Sequence, residues 1–217
     1  FEIVCGVANT FSNENTLSYS FKDYVSPISE ILPSRDMTLT VDNQDLYYSA
    51  DNPDSALAYM EVGQEIEVSF GSDVDGNGNI EWLPPNICYL KSWSADDIQA
   101  RFIATDRFDY LTETYWKGLY RPAGISLYDL AVDVLEDAGV GDEEYFLDPY
   151  LKDVIVQNPM PAVTHSTALQ IIANAGRCAL YEDLDNRIHS QASFFPDSSS
   201  SFYVETAFYH VLNLLVV

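Results

Sequence analysis

The chain has 217 residues, with 34 acidic side chains against 10 basic ones and a formal net charge of −24. Ten Lys and Arg residues scattered from Lys22 to Arg187 form no basic stripe, which argues against nucleic-acid binding and against anionic membrane surfaces. Apolar residues make up 47% and aromatics 13%, far more than acidic disordered chains carry, so a packed core is expected.

The first half reads as strands and turns. Phe1–Val7 and Thr16–Phe21 alternate apolar with polar residues, as half-buried strands do. Met37–Val41 repeats the period of two until Asp42-Asn43, a pair that bonds its own backbone, stops it. A loop from Tyr47 to Tyr59 contains Asp51-Asn52-Pro53-Asp54, where the proline pushes Asn52 out of the helical region. Glu65–Phe70 alternates again and is expected to pair with Ile80–Leu83 across a Gly-rich stretch. Ile87–Trp93 and Ile98–Thr105 continue the meander. Residues 1–111 thus predict a β-rich barrel or sandwich domain.

After a connection at 112–124 the period becomes helical. Ser126 is a good N-cap with Asp129 three residues on. Leu127, Leu130, Ala131, Val134, Leu135 and Ala138 share a face, and Gly139 closes the helix. Thr167 and Gln170 form a capping-box pattern for a second helix ending at Gly176, with a short strand at Val154–Val156 between the two helices. Cys178–Tyr181 and Arg187–His189 flank Glu182–Asn186 as a hairpin. The fold class is therefore α+β, a β-rich domain followed by a smaller α+β domain at 125–192 with two short helices. Residues 193–217, with the run Ser198–Ser201 and an apolar tail, read as a linker or a discontinuous segment. A first residue Phe1 already in a strand pattern suggests a piece of a longer polypeptide.

The constellations that could carry chemistry are weak. Asp73-Val-Asp75-Gly-Asn77-Gly-Asn79 matches the start of an EF-hand loop, with oxygen ligands at positions 1, 3 and 5. Its twelfth position is Pro84 rather than Glu and its flanks are strands, so a polar hairpin tip is the expectation and a metal site at Asp73, Asp75, Asn77 and Asn79 the weaker reading. Cys5, Cys88 and Cys178 are odd in number and widely spaced, and read as buried thiols of a reducing compartment. His165 lies 13 residues before Cys178, across a helix, which makes a poor nucleophile–base pair. His189 and His210 are isolated, and no Gly-x-Ser-x-Gly or phosphate-cradling loop occurs. Carboxylate pairs such as Glu143-Glu144, Asp96-Asp97 and Glu65 with Glu67 are expected by chance among 34 acids and single out no glycosidase dyad. No cofactor and no enzymatic activity are expected.

A wider pattern is more informative. Leu39-Thr-Val-Asp-Asn-Gln-Asp45, Tyr48, Asp51-Asn-Pro-Asp-Ser55 and Tyr59-Met-Glu-Val-Gly-Gln-Glu-Ile66 resemble bacteriophage and prophage tail proteins, in which a strand ending in Asp-Asn is followed by a Tyr and Asp-Asn-Pro loop and a Gly-Gln strand. Phe102 to Leu111, the Ser126–Gly139 helix, Asn158-Pro-Met-Pro161 and the Asp183–Ile188 hairpin extend the resemblance over residues 36 to 190. The family is that of tail hub or baseplate structural proteins. The resemblance implies β-barrel tube-like domains that assemble into a ring, a trimer being common, within the virion tail after synthesis in the bacterial cytoplasm. It implies other tail proteins as partners and carries over no catalytic residue. Tyr47, Tyr48, Tyr59 and Trp82 are the candidate subunit contacts, since aromatics dominate interface energetics. If the chain lines a ring, its carboxylates are expected to repel a passing genome. The rival reading is a carbohydrate- or calcium-dependent surface-binding module, resting on the aromatic content and the Asp73 loop.

Overall fold

The computed structural model describes residues 15–49, 51–55, 60–68, 71–79, 81–82 and 86–192. The expected Phe1–Val7 strand, Cys5, Tyr59, Pro84, His210 and the 193–217 segment lie outside them.

Among the described residues of the first half there are seven strands: β1 (Thr16–Tyr24), β2 (Ser34–Asp42), β3 (Glu65–Val68), β4 (Gly71–Ser72), β5 (Glu81–Trp82), β6 (Asn86–Ala95) and β7 (Gln99–Thr105). Five of them form an antiparallel half-barrel sheet in the order β1-β2-β7-β6-β3. The alternation read from sequence sets its inner face. Met37, Leu39 and Val41 of β2, Cys88 and Leu90 of β6, and Ala100, Phe102 and Ala104 of β7 are all buried in one cluster. Successive side chains of a strand point to opposite faces, so a period of two becomes one apolar layer.

One pairing differs from expectation. β3 pairs with β6, Glu65 opposite Tyr89 and Val68 opposite Asn86, whereas Glu81–Trp82 pairs with Gly71–Ser72. The register is set where the hairpin closes, Gly71–Ser72 against Glu81–Trp82. Both carboxyl oxygens of Asp73 accept backbone N–H groups, from Asn77 and Gly78, and this places the partners of 65–68 beyond Trp82.

The second half contains β8 (Thr114–Tyr115), β9 (Ile125–Ser126), α1 (Leu127–Asp137), β10 (Tyr145–Leu147), β11 (Ile155–Val156), β12 (Val163–Thr164), α2 (His165–Ala175), β13 (Cys178–Glu182) and β14 (Ile188–Ala192). A three-stranded sheet in the order β10-β14-β13 packs with the two helices around a second core. Phe108, Leu111 and Tyr115, which precede the helices in sequence, belong to this core as well.

Both helices start as helix-capping chemistry requires. Ser126 Oγ accepts the Asp129 N–H at 2.9 Å, and Gly139 takes φ +77° just after the last turn of α1. α2 begins earlier than the Thr167–Gln170 pattern implies. Its N-cap is Thr164, whose Oγ1 accepts the Thr167 N–H at 3.2 Å. The bridge between β12 and β8 delivers the chain extended up to Thr164, so the cap forms there. Gln170 turns outward instead and donates to the Glu30 carbonyl at 2.9 Å. At the exit of α2 the left-handed residue is Arg177, φ +54°, while Gly176 keeps an ordinary helical φ of −81°.

Candidate assembly surface and interlobe contacts

The four aromatic residues singled out from sequence fare differently. Tyr48 is only 7% exposed and meets Phe102 edge-on, with ring centroids 5.3 Å apart. It is a core residue of the sheet lobe, which takes its ring off the surface. The loop around it is fixed by Asn43, whose Oδ1 accepts the Tyr48 N–H while its Nδ2 donates to the Asp96 carbonyl. Tyr47 is half-buried against Tyr48, and Trp82 is 64% exposed beside the hairpin tip.

At the hairpin tip the side chains of Asp73 and Asn77 face their own turn. Besides the two bonds to Asp73, Asn77 Oδ1 accepts the Asn79 N–H at 2.8 Å. Among the described residues no three His, Cys, Asp or Glu side chains gather to hold a metal ion. His165 Nε2 lies 2.9 Å from Asp137 Oδ2, and the Cys178 thiol donates to the Gly176 carbonyl, so the two side chains are committed to different partners. Burial pushes the Cys178 thiol up to about 11 and the Cys88 thiol up to about 12, which keeps both protonated. One member of each of two carboxylate pairs, Glu144 and Asp96, holds a turn. Glu144 accepts the Gly141 N–H and pairs with Arg107, both at 2.6 Å, and Asp96 Oδ1 accepts the N–H groups of Ile98 and Gln99.

A different surface stands out, on two segments that bind each other. Residues 114–126 and 155–164 are joined by the β8–β12 and β9–β11 bridges and by Gln157 Nε2 donating to the Pro122 carbonyl at 3.2 Å. Gly118 lies so close to Met160 that a Cβ there would overlap the Met160 carbonyl oxygen. Trp116, 77% exposed, and Leu119, Tyr120 and Ile155, each more than half exposed, project from this pair of segments. Beneath them the cations are neutralised locally. Lys117 Nζ is 2.9 Å from Asp137, Arg121 is 3.3 Å from Asp133, and the Tyr115 hydroxyl donates to Asp133 at 2.6 Å. Sequence reasoning passed over this surface because Trp116 to Pro122 has no period and reads as a connection. The available signal was three large apolar residues in an aperiodic stretch.

The two lobes also meet through specific polar contacts. Ser29, in the loop between β1 and β2, donates through Oγ to the Cys178 carbonyl and accepts the Leu180 N–H, both at 2.8 Å. Asn174 Nδ2 donates to the Ile28 carbonyl at 2.8 Å. Arg35 of β2, 3% exposed, donates to the carbonyl oxygen of Glu182 at 3.0 Å and to Asp23 at 3.2 Å. An open groove of about 740 Å³ runs beside this junction, lined by Glu65, Tyr89, Arg107, Tyr110 and Asn186 among others. Asn186 Nδ2 donates to the Tyr89 hydroxyl across it.

No helix among the described residues is long and apolar enough to cross a membrane. No family model and no curated protein matches the chain. Among solved structures it is similar to the 43 kDa tail protein of prophage MuSo2 from Shewanella oneidensis, at 15% identity and a TM-score of 0.42. The match covers 80% of this chain and 52% of the other, so the chain spans about half of that protein's length.

Proposed function

We propose that this chain is a structural component of a phage or prophage tail, of the hub or baseplate kind, and that it acts by oligomeric assembly with itself and with other tail proteins. The tail assignment rests on the residue patterns between 36 and 190. The observation that carries assembly is the platform of Trp116, Leu119, Tyr120 and Ile155. Large rigid apolar side chains held out by a fixed backbone are what interface cores are made of, and exposed clusters of them mark association sites. Among the described residues β1 and β3 are the outermost strands of the five-stranded sheet, and such strands offer further backbone groups for pairing. A trimeric ring is the specific arrangement proposed.

Sedimentation equilibrium of the chain at 0.15 M salt tests the reading. An oligomer that falls to monomer in Trp116→Ala/Tyr120→Ala, with circular dichroism unchanged, is the expected result. A wild-type monomer at concentrations well above micromolar overturns it.

A further inference from the structure

We propose that the junction between the two lobes is a proton-sensitive latch, in which Glu182 is neutral while the lobes are docked and its ionisation loosens them. The argument starts from charge. Arg35 faces three carboxyl groups at the junction, Asp23, Asp106 and Glu182, with the Cys88 thiol alongside, while the guanidinium of neighbouring Arg107 is taken by Glu144. Were all three ionised, the site would hold two uncompensated negative charges in a setting where Arg35 and Glu182 side chains are 3% and 2% exposed. Burying unpaired charge costs several kcal/mol per ion, roughly, whereas a neutral carboxyl costs far less.

The geometry says which group carries the proton. Asp106 accepts two backbone N–H groups, from Arg35 at 2.8 Å and Asp109 at 3.3 Å, as an ionised carboxylate does. Asp23 takes the direct hydrogen bond from the guanidinium. Glu182 has neither. Its Oε2 lies 3.9 Å from Arg35 and accepts one N–H, from Arg107 at 3.3 Å, and its Oε1 is buried with no partner among the described residues. Arg35 bonds the Glu182 carbonyl oxygen in preference to its carboxyl group. The charged and titratable neighbours that face the cluster are Tyr19 and Asp23 from β1, Arg35 from β2, Cys88 and Tyr89 from β6, and Asp106 and Arg107 just after β7. Burial pushes Glu182 up to about 7 against the opposing pull of Arg35, and raises Asp106 to about 6.

The sign follows from linkage. Between the ordinary carboxyl value of 4.5 and about 7, the docked state binds the proton and the opened state does not, so docking is strongest at low pH and weakens as pH rises. From pH 6 to pH 8.5 these two values shift the opening equilibrium by about tenfold.

Hydrogen exchange of the Leu180 amide, which donates to Ser29 across the junction, reads this directly once corrected for intrinsic rates. The expected result is protection about tenfold lower at pH 8.5 than at pH 6 in the wild type, and nearly constant protection in Glu182→Gln. Equal pH dependence in both proteins overturns the proposal. Carbon-13 titration of the wild-type Glu182 carboxyl is a second arm that needs no variant. A midpoint near neutrality supports the latch, and one near 4.5 overturns it.

Discussion

Ser29 offers a direct measure of what holds the lobes together. It is 1% exposed, sits in the left-handed region at φ +53°, and its single hydroxyl serves two backbone groups of β13. In Ser29→Ala the Cys178 carbonyl and the Leu180 N–H lose their partner in a buried setting. Each orphaned group costs about 1–3 kcal/mol, so a total loss of about 2–6 kcal/mol is expected. Ser29→Gly loses the same two bonds but relieves the left-handed backbone, for which a residue bearing Cβ pays about 1 kcal/mol. The glycine variant should therefore be the more stable of the two by about that amount, slightly reduced by the added freedom of its unfolded chain. Urea unfolding followed by tryptophan fluorescence and far-ultraviolet circular dichroism, with slopes compared to confirm that the unfolded states are alike, gives both numbers. A loss under about 1 kcal/mol in Ser29→Ala, or a glycine variant weaker than the alanine one, refutes the reasoning.

The platform backbone makes a steric prediction. Gly118→Ala places a methyl group into the Met160 carbonyl, backbone against backbone, and should cost about 1–3 kcal/mol or more while shifting Trp116 fluorescence. Loss of stability without any change at Trp116 would mean that the two segments are not coupled as described. The thiols make a chemical one. Cys88 and Cys178 should resist an alkylating reagent at pH 8 in the native protein and react only on unfolding, with peptide mapping assigning the sites. Fast native labelling of either would contradict their burial.

Much of the fold was legible because it follows local rules. The apolar period of β2, β6 and β7 gives the sheet face, and Ser126 with Gly139 marks both ends of α1. The misses arise where tertiary contact overrides a local signal. Thr167 looks like a cap, yet the β8–β12 bridge moves the cap to Thr164. Tyr48 reads as a loop aromatic, yet Phe102 of a strand more than fifty residues away draws it into the core. The platform left only three large apolar residues in an aperiodic stretch as its signal, and the Arg35–Glu182 junction left none. Both join residues distant in the chain, and neither a period nor a motif encodes such a meeting.

The ion pairs under Trp116 bear on the solution conditions in which copies of this chain can meet. With Lys117 and Arg121 matched to Asp137 and Asp133, the platform is a locally neutral island on a polymer of net charge −24. At 0.15 M salt charges are screened beyond about 8 Å, so a neighbour arriving at the island senses little of the surrounding acid. At 0.01 M the screening distance grows to about 30 Å and the whole molecule repels its copy. Ionic strength is thus a natural control on self-association here, acting through the screening length while the apolar contacts stay the same.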